Sequence, residues 1–316
     1  MKPLPTVSVG LPVYNGERYL EQALASIANQ TLENLEIIIS DNGSTDNTEE
    51  ICRTFAAQDR RIRYFRQQQN QGAAFNYNFV FRKSKAQYFK WATHDDVLAD
   101  DFLRRCVEVL EHNPHFVLCY SKTRLIGESN QTLAMEEDEL RLDSADLTTR
   151  FFSALSPMKL CHNPIFGVVR RNILAKTRLI GSFLASDRCL IAELILYGPF
   201  HEIPEQLFVR RRHSNSVGTR KQHLKFYDPS LSALFVLPEH GVLIKHLASI
   251  RRAPLTPAQR ASAAVAVLRW GFQKRRRFKI ELENAATDVI TAWLPRRTVE
   301  SFRQIKSRKP PNDRSY

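Results

Sequence analysis

The chain is poor in cysteine and has no apolar stretch long enough to cross a membrane. Its 316 residues include five cysteines, no two of which have the CxxC spacing of a zinc or redox site. We therefore expect free, mostly buried thiols in a reducing compartment. The amino terminus lacks the apolar run of a signal peptide. No segment approaches the roughly 20 apolar residues that span a bilayer, so we expect a cytoplasmic protein.

Acidic residues are scarce in the last third of the chain. Residues 201–316 carry 23 Lys and Arg against 9 Asp and Glu, whereas residues 1–200 carry 23 against 24. The whole net charge of +13 therefore arises in the last third. Such a basic segment attracts phospholipid headgroups, nucleic acid or pyrophosphate-bearing substrates, although a solvated basic face explains the same charge. Because the basic stretches lack interleaved aromatic residues and the rest of the chain is not basic, we expect no nucleic-acid partner.

Apolar runs alternate with helical patterns over the first hundred residues. Four strands are predicted, at Val7–Val13, Leu35–Ser40, Arg61–Gln67 and Tyr88–Ala92. Helical patterns separate them, at Glu17–Asn29, at Thr48–Ala57 and through Phe75 and Phe79. This alternation predicts an α/β fold with parallel βαβ units, whose ligand groups collect at the carboxyl ends of the strands.

Beyond residue 100 the pattern is weaker. Helices are predicted at Phe102–Glu111 and Asp187–Tyr197, and strands at Phe116–Ile126 and His162–Arg171. The acidic stretch Glu128–Asp146 indicates a mobile surface connection. Further predictions are an edge strand, Phe200–Arg212, interrupted by Pro204, a helix starting at Thr256–Pro257, and an apolar stripe of Ala264, Val267, Leu268 and Trp270.

The adjacent carboxylates Asp95 and Asp96 follow the fourth predicted strand. Two such charges repel each other, so a fold keeps them together mainly to hold a divalent cation such as Mg²⁺ or Mn²⁺. An exposed loop that caps the next helix would explain the pair equally simply.

Polar clusters also follow the other three strands. In the loop Asp41–Asp46 the aspartate can accept from a base or a ribose hydroxyl, and Gly43 allows close approach of the backbone. An ordinary turn with a helix cap remains open for this loop. Pro12–Gly16 offers a ring and an amide where a base can lie, and Asn70–Ala74 is a fourth polar cluster on the same edge.

Taken together, these clusters resemble the nucleotide-binding half of family 2 glycosyltransferases, which have the GT-A fold of the nucleotide-diphospho-sugar transferase superfamily. The stretches that carry the resemblance, within residues 6–96, are VSVGLPVYNGERYLEQALASIANQT, LEIIISDNGSTDNT, NQGAAFNYN and THDDVLAD. The resemblance implies a Rossmann-like, mostly parallel sheet flanked by helices. From about residue 220 the sequence itself becomes helical and basic, which predicts a carboxyl-terminal appendage. Two departures leave the donor open: the acidic motif begins with His94 instead of a third aspartate, and NQGAAFNYN lacks the arginine common in that loop.

The resemblance also implies which residues lie at the donor. The candidate nucleotide-binding residues are Pro12, Tyr14, Asn15, Glu17, Asp41, Asn42, Ser44, Gln71, Gly72, Asp95 and Arg211. Arg211 is included because a departing nucleoside diphosphate needs positive charge nearby. Asp96 and, on a late loop, His213 are the candidate ligands of a divalent cation, Mn²⁺ or Mg²⁺. A histidine with a purely structural role is the alternative for His213.

A weaker resemblance, through FLASDRCLIAELILYGPFHEIPEQLFVRRRHSNS, marks Asp187 as the general base. Inverting transfer needs one carboxylate within hydrogen-bond reach of the acceptor hydroxyl, opposite the leaving diphosphate. A position at a helix start keeps that carboxylate ionised. A plain helix cap explains Ser186–Asp187 as well.

We therefore expect an inverting glycosyltransferase of bacterial-type cell-surface polysaccharide or glycan synthesis. Its donor would be a UDP-sugar, with GDP- and TDP-sugars left open, and its acceptor a glycan or a lipid-linked glycan. The expected domains are a catalytic domain, 1–219, with a nucleotide half of about 1–100 and an acceptor half of about 101–219, and a helical basic region, 220–316. The basic segment 257–280 favours peripheral association with the inner membrane face, although a helical subdomain packed on the core fits equally. A non-catalytic nucleotide-sugar-binding protein of the same fold is the alternative function.

Overall fold

A sheet of nine strands forms the centre of the computed structural model, which describes residues 4–136, 140–155, 163–213, 226–229 and 237–293. The strands are β1 (Val7–Val13), β2 (Leu35–Asp41), β3 (Ile62–Arg66), β4 (Tyr88–Trp91), β5 (Val97–Leu98), β6 (Leu118–Ile126), β7 (Thr132–Glu136), β8 (Val168–Arg170) and β9 (Phe200–Arg211). Their order is β3-β2-β1-β4-β8-β6-β9-β5, and β7 pairs with β6 outside this path.

The first four strands form the parallel half of the sheet. β1 pairs in parallel with β2 and β4, and β2 pairs in parallel with β3. Every residue of β1 and β2 is buried, as expected for strands that helices cover on both faces. Val13 lies opposite Asp41 in the register, so β1 and β2 end at the same edge. Consequently the polar loops that follow these strands meet there.

Helices cover both faces of the sheet. They are α1 (Leu20–Ala28), α2 (Thr48–Gln58), α3 (Ala73–Lys83), α4 (Phe102–His112), α5 (Leu147–Leu155), α6 (Arg171–Leu174), α7 (Ser186–Leu194), α8 (Pro238–Arg252), α9 (Pro257–Gln273) and α10 (Arg275–Trp293). One core cluster contains Leu24 of α1 and Phe102 of α4, and the other contains Val80 of α3 and Leu190 of α7. The predicted α/β fold is confirmed.

The carboxyl-terminal helices pack onto the second of these faces. α9 begins at Pro257 with Thr256 as its N-cap, as predicted. The cap is reciprocal, because Gln259 N donates to Thr256 Oγ1 and Thr256 N donates to Gln259 Oε1. The buried carboxylate of Glu193 on α7 pairs with Arg178 and with Arg252 of α8. This ion triad joins the carboxyl-terminal helices to the sheet's own layer of helices.

Three local predictions were wrong in part. The stretch Glu128–Asp146 contains β7, because Thr132–Glu136 pairs antiparallel with β6. The strand predicted to start at His162 is a short 3-10 helix, Asn163–Phe166, followed by β8; His162 itself lies outside the described residues. β9 pairs with β6 along its length and with β5 at Val209 and Phe208, so it is not simply an edge strand, and Pro204 falls in a register shift.

The cysteine prediction agrees with the structure where it can be compared. Cys52, Cys106, Cys119 and Cys189 are buried and free, and Cys161 lies outside the described ranges. In the part of the chain that the structure covers, no helix combines the length and the apolar character needed to cross a bilayer.

Candidate active site

Two loops at the carboxyl edge of the sheet are bound to each other. Asn15 N donates to Ser44 Oγ at 2.9 Å, and Thr45 N donates back to Asn15 Oδ1 at 2.9 Å. Asn47 N donates to Glu17 Oε2 at 3.0 Å. The side chains of Asn15, Glu17 and Ser44, all predicted to lie around a nucleotide, thus hold the loops after β1 and β2 in a fixed relation.

Asp41 lies at the floor of this edge and is fully buried. Ser44 N donates to its Oδ1 at 2.8 Å, and the Tyr64 hydroxyl donates to its Oδ2 at 2.9 Å. Arg66 Nε lies 3.3 Å from the same oxygen. Burial and the hydrogen bond to Asp41 raise the pKa of Tyr64, so its phenol remains a donor. Tyr64 and Arg66, two positions apart on β3, were not predicted.

Asn42 connects the second loop to the loop before α3. Its Nδ2 donates to Asn70 Oδ1 at 2.9 Å and to Gly72 O at 3.3 Å, and Gln71 N donates to its Oδ1 at 3.1 Å. Gly72 has φ +85° and ψ 161°, a region that is essentially restricted to glycine. A Cβ on Gly72 would lie 2.4 Å from Tyr227 O. Residues 226–229 therefore lie directly on this loop.

The remaining predicted nucleotide-binding residues differ in exposure. Pro12 is buried in β1, opposite Ser40 of β2. Tyr14 and Gln71 are exposed at the rim, where a ligand can reach them. A cavity of about 190 Å³ lined by Gln87, Arg170 and Arg171 lies instead at the amino end of β4, the opposite edge of the sheet.

The acidic pair is held by the end of β9. Pairing of Val97 with Val209 brings the end of β9 alongside the acidic loop. Arg211 N donates to Asp96 Oδ1 at 2.9 Å, and Thr93 Oγ1 donates to Asp96 Oδ2 at 2.6 Å. His213 Nε2 lies 3.0 Å from Asp95 Oδ2. The structure thus brings Asp95, Asp96 and His213 together, and their predicted roles at the donor and the cation stay predictions.

The two carboxylates have different electrostatic environments. Burial and the negative charge of Asp95 raise the pKa of Asp96 to about 7. Burial alone would raise the pKa of Asp95, but the hydrogen bond to His213 and the charges of His94 and His213 hold it below its ordinary value. The same hydrogen bond raises the pKa of His213. Asp95 and His213 therefore form an ion pair, beside a second carboxyl group that titrates close to neutrality.

This arrangement fits a cation that the substrate helps to bind. Among the residues that the structure describes, no group of three or more His, Cys, Asp and Glu side chains could hold a metal alone. Mg²⁺, however, usually binds through one or two carboxylates together with substrate phosphates and waters. The crowding of negative charge that raises the pKa of Asp96 is what a divalent cation would relieve. Asp95 and Asp96 suit that mode of binding.

Arg211 anchors the acidic loop. Its side chain is buried, and its guanidinium donates to Asp95 O, Gly127 O, Asn130 Oδ1 and Gln22 Oε1 at 2.7–3.1 Å. It also lies over the ring of Tyr19, 4.5 Å from the centroid. These hydrogen bonds go to the protein, and a contact of Arg211 with a diphosphate stays a prediction.

Asp187 lies in the first turn of α7 and is partly exposed. The charges of Asp187 and of the acidic pair both act on Tyr77 of α3. Burial, followed by the negative charges of Asp95, Asp96 and Asp187, raises the pKa of the Tyr77 phenol. The Tyr77 phenol is therefore protonated at neutral pH.

Sequence reasoning missed Tyr77 and Tyr227. Tyr77 stands in NQGAAFNYN, the stretch in which the common arginine is absent, and that departure was the available signal. Tyr227 lies more than 150 residues after Gly72 along the chain, and no local pattern points to their contact. Burial and the charge of Asp187 raise the pKa of Tyr227 as well.

Comparisons with known proteins agree with this geometry. The sequence model of the family described as "Glycosyl transferase family 2" matches residues 8–173. An uncharacterized glycosyltransferase of Haemophilus influenzae is 35% identical over 117 residues, which are 37% of this chain and 46% of that protein. The matched segment therefore spans less than half of that relative.

Two solved structures share the fold at 16% identity each. S. aureus TarS in complex with UDP aligns with a TM-score of 0.63, and the alignment covers 91% of this chain and 80% of the TarS chain. The mannosyltransferase PcManGT from Pyrobaculum calidifontis, in complex with GDP-Man and Mn²⁺, aligns with a TM-score of 0.54. The alignment covers 97% of this chain and 81% of the PcManGT chain. Identities this low relate the folds and leave the ligands open.

Proposed function

The chain belongs to glycosyl transferase family 2, and from this we propose that it transfers a sugar from a nucleotide-diphosphate donor to an acceptor hydroxyl, with inversion. The observation that carries the proposal is the single sheet edge at which the loops after β1 and β2 are bound to each other and the end of β9 holds the acidic pair, Asp95 and Asp96. On this proposal the loops would contact the nucleotide, the acidic pair would hold a cation and Asp187 would act as the base, as a sugar transfer requires.

The donor would lie across the loops that follow β1, β2 and β3. Tyr14 and Gln71 are exposed at the rim and available to a base, whereas Asp41, Asn42 and Ser44 form the buried floor. A UDP-sugar is favoured because TarS was solved with UDP, and the GDP-Man complex of PcManGT keeps a GDP-sugar open. A TDP-sugar is the third candidate.

Asp187 would act as the general base. The acceptor oxygen bonds to the anomeric carbon as its proton passes to Asp187, while the bond to the donor phosphate breaks and its electron pair leaves with the diphosphate. Because attack and departure occur on opposite faces, the configuration inverts and no covalent enzyme intermediate forms. The amino-terminal end of α7 favours the ionised carboxylate.

Asp96, with Asp95 or His213, would hold the cation. A divalent cation bound there supplies positive charge that neutralises the diphosphate. Arg211 fixes the backbone of this loop, and His213 orients Asp95. The Tyr77 phenol, protonated at neutral pH, would donate a hydrogen bond toward the donor or the acceptor.

The acceptor is proposed to be a glycan or a lipid-linked glycan in bacterial cell-surface polysaccharide synthesis. The excess of positive charge in residues 201–316 supports an anionic or membrane-borne acceptor.

A thermal-shift screen of UDP, GDP, TDP and CMP, each with and without Mn²⁺, tests the proposal. We expect one nucleoside diphosphate to stabilise the chain only with the metal, by about 2.7 kcal/mol at a hundred times its Kd. Asp96→Ala should abolish this shift. Asp187→Asn should keep it and lose sugar transfer.

Absence of a shift with all four nucleotides would contradict the proposed donor site. A metal-dependent shift without transfer or donor hydrolysis would favour the alternative, a non-catalytic nucleotide-sugar-binding protein. The acidic motif begins with His94 instead of a third aspartate, and this departure keeps the alternative open.

A further inference from the structure

Helix α9 has two apolar faces. Its inner face packs into the core through Ala263, Ala266, Val267 and Trp270. On the opposite side, Val265, Leu268 and Phe272 are spaced three and four residues apart, which aligns them in one stripe. They are 62%, 66% and 68% exposed, and we call them the outer stripe. The predicted apolar stripe of Ala264, Val267, Leu268 and Trp270 is therefore not one face: Val267 and Trp270 are buried, whereas Leu268 is exposed on the other side of the helix.

The surroundings of the outer stripe are basic. Residues 257–280 contain seven Lys and Arg and no Asp or Glu. The guanidinium of Arg275 lies over the ring of Phe272 at 4.4 Å from its centroid, so a positive charge lies at the end of the stripe. Arg277 and Lys279 pair with glutamates. Arg260, Arg269, Arg275 and Arg276 are exposed and form no ion pair with a carboxylate of the described residues.

We propose that the outer stripe, with Arg275 and Arg276 at its carboxyl-terminal end, forms a docking surface for an anionic lipid bilayer. An interfacial helix places leucine and phenylalanine side chains at the boundary of headgroups and acyl chains, and its arginines contact the lipid phosphates. Val265, Leu268 and Phe272 would be the inserted apolar side chains. Arg275, stacked on Phe272, would be the arginine that contacts the lipid phosphates.

Charge argues for a bilayer over a second copy of the chain. In a symmetric dimer the same patch lies on both subunits. Two patches without acidic residues would then repel each other across the interface. The negative headgroups of an anionic bilayer would instead attract the arginines of this patch.

The outer stripe lies on the side of α9 that faces away from its packed, buried face. The inner face of α9 packs on α5 and α8, and the stripe projects from the other side of the helix. The inference therefore does not depend on the proposed sugar transfer.

Co-sedimentation of the full chain with vesicles tests the proposal. We expect binding to vesicles of phosphatidylglycerol and phosphatidylcholine in equal parts, and little binding to phosphatidylcholine alone. Leu268→Glu combined with Phe272→Glu should weaken this binding about tenfold or more, because it replaces inserted side chains by charges that the headgroups repel. Arg275→Glu combined with Arg276→Glu should weaken it by a similar factor and remove most of its salt dependence.

A matched control is available on β7. Leu133 and Met135 are 49% and 54% exposed, and their double replacement by Glu should leave vesicle binding unchanged. Thermal unfolding without vesicles verifies that each variant folds, and Leu268→Ser with Phe272→Ser replaces the glutamate pair if that pair does not fold. The proposal is overturned if the wild-type chain ignores anionic vesicles, or if the α9 variants bind like wild type. It is also overturned if light scattering shows that the stripe variants abolish a dimer while vesicle binding persists.

Discussion

Replacing Gly72 by alanine tests how the loop before α3 is held. Gly72 has φ +85° and ψ 161°, where any other residue is strained by about 1–3 kcal/mol. Its backbone groups are both hydrogen-bonded, because Gly72 N donates to Asn70 Oδ1 and Gly72 O accepts from Asn42 Nδ2. The backbone therefore cannot relax without losing these bonds.

The new methyl group also has no room. It would lie 2.4 Å from Tyr227 O and 2.9 Å from Pro229 Cδ, so residues 226–229 must move off the loop. We expect Gly72→Ala to lower the free energy of unfolding by about 1–3 kcal/mol from the backbone strain alone. Displacement of the loop should weaken the binding of the preferred nucleoside diphosphate by about tenfold or more.

Gly241 is the matched control. It lies within α8, and a Cβ there would have no neighbour within 4 Å. Gly241→Ala should therefore raise the free energy of unfolding, by about 0.5–1 kcal/mol. Urea unfolding measures both variants, and titration calorimetry measures nucleotide binding. The reasoning is refuted if Gly72→Ala unfolds at the wild-type urea concentration and binds nucleotide with the wild-type Kd.

Three further predictions concern buried ionisable side chains, His246, Glu193 and Arg211. Burial lowers the pKa of His246 to about 3, against about 6.5 in the unfolded chain. The unfolded state therefore binds the proton first as the pH falls from 6.5 to 3, and stability is lost in that window, by up to about 1.4 kcal/mol per pH unit. His246→Phe should flatten this loss in urea unfolding between pH 7 and pH 5, and an unchanged slope would contradict the assignment. Glu193→Ala should cost about 3 kcal/mol in the same assay, because it leaves Arg178 and Arg252 without their shared carboxylate; a near-wild-type unfolding midpoint would show that the triad contributes little. Arg211→Met should weaken metal-dependent nucleotide binding about tenfold or more through release of the acidic loop, and wild-type affinity in calorimetry would exclude that anchoring role.

The sequence predicted the parallel half of the sheet and its functional edge because these features are local. An apolar run that ends in a polar turn marks both a buried strand and the loop after it, so Asp41 and Asp96 could be assigned to one edge before any contact was known. The strand register then brings the loops together, as Val13 opposite Asp41 shows.

Contacts between distant parts of the chain were beyond such reasoning. Arg211 lies in a basic run that favoured a role at the diphosphate, but its guanidinium reaches Gln22 and Asn130. Nothing in a single sequence pairs positions so far apart. The contact of Tyr227 with Gly72 is of the same kind. β7 was missed because its acidic, turn-rich surroundings resemble a loop, although its backbone pairs with β6.

The ion triad of Glu193, Arg178 and Arg252 also bears on the length of the acceptor. It fastens α7, which carries Asp187, to α8, on which α9 packs. With α9 resting on a bilayer, Asp187 would stand at a constant height above the lipid surface. An acceptor whose lipid and sugar spacer holds its hydroxyl at that height would reach Asp187, the proposed base. Shorter or longer acceptors would not reach it, so the fixed distance would select acceptors by their length.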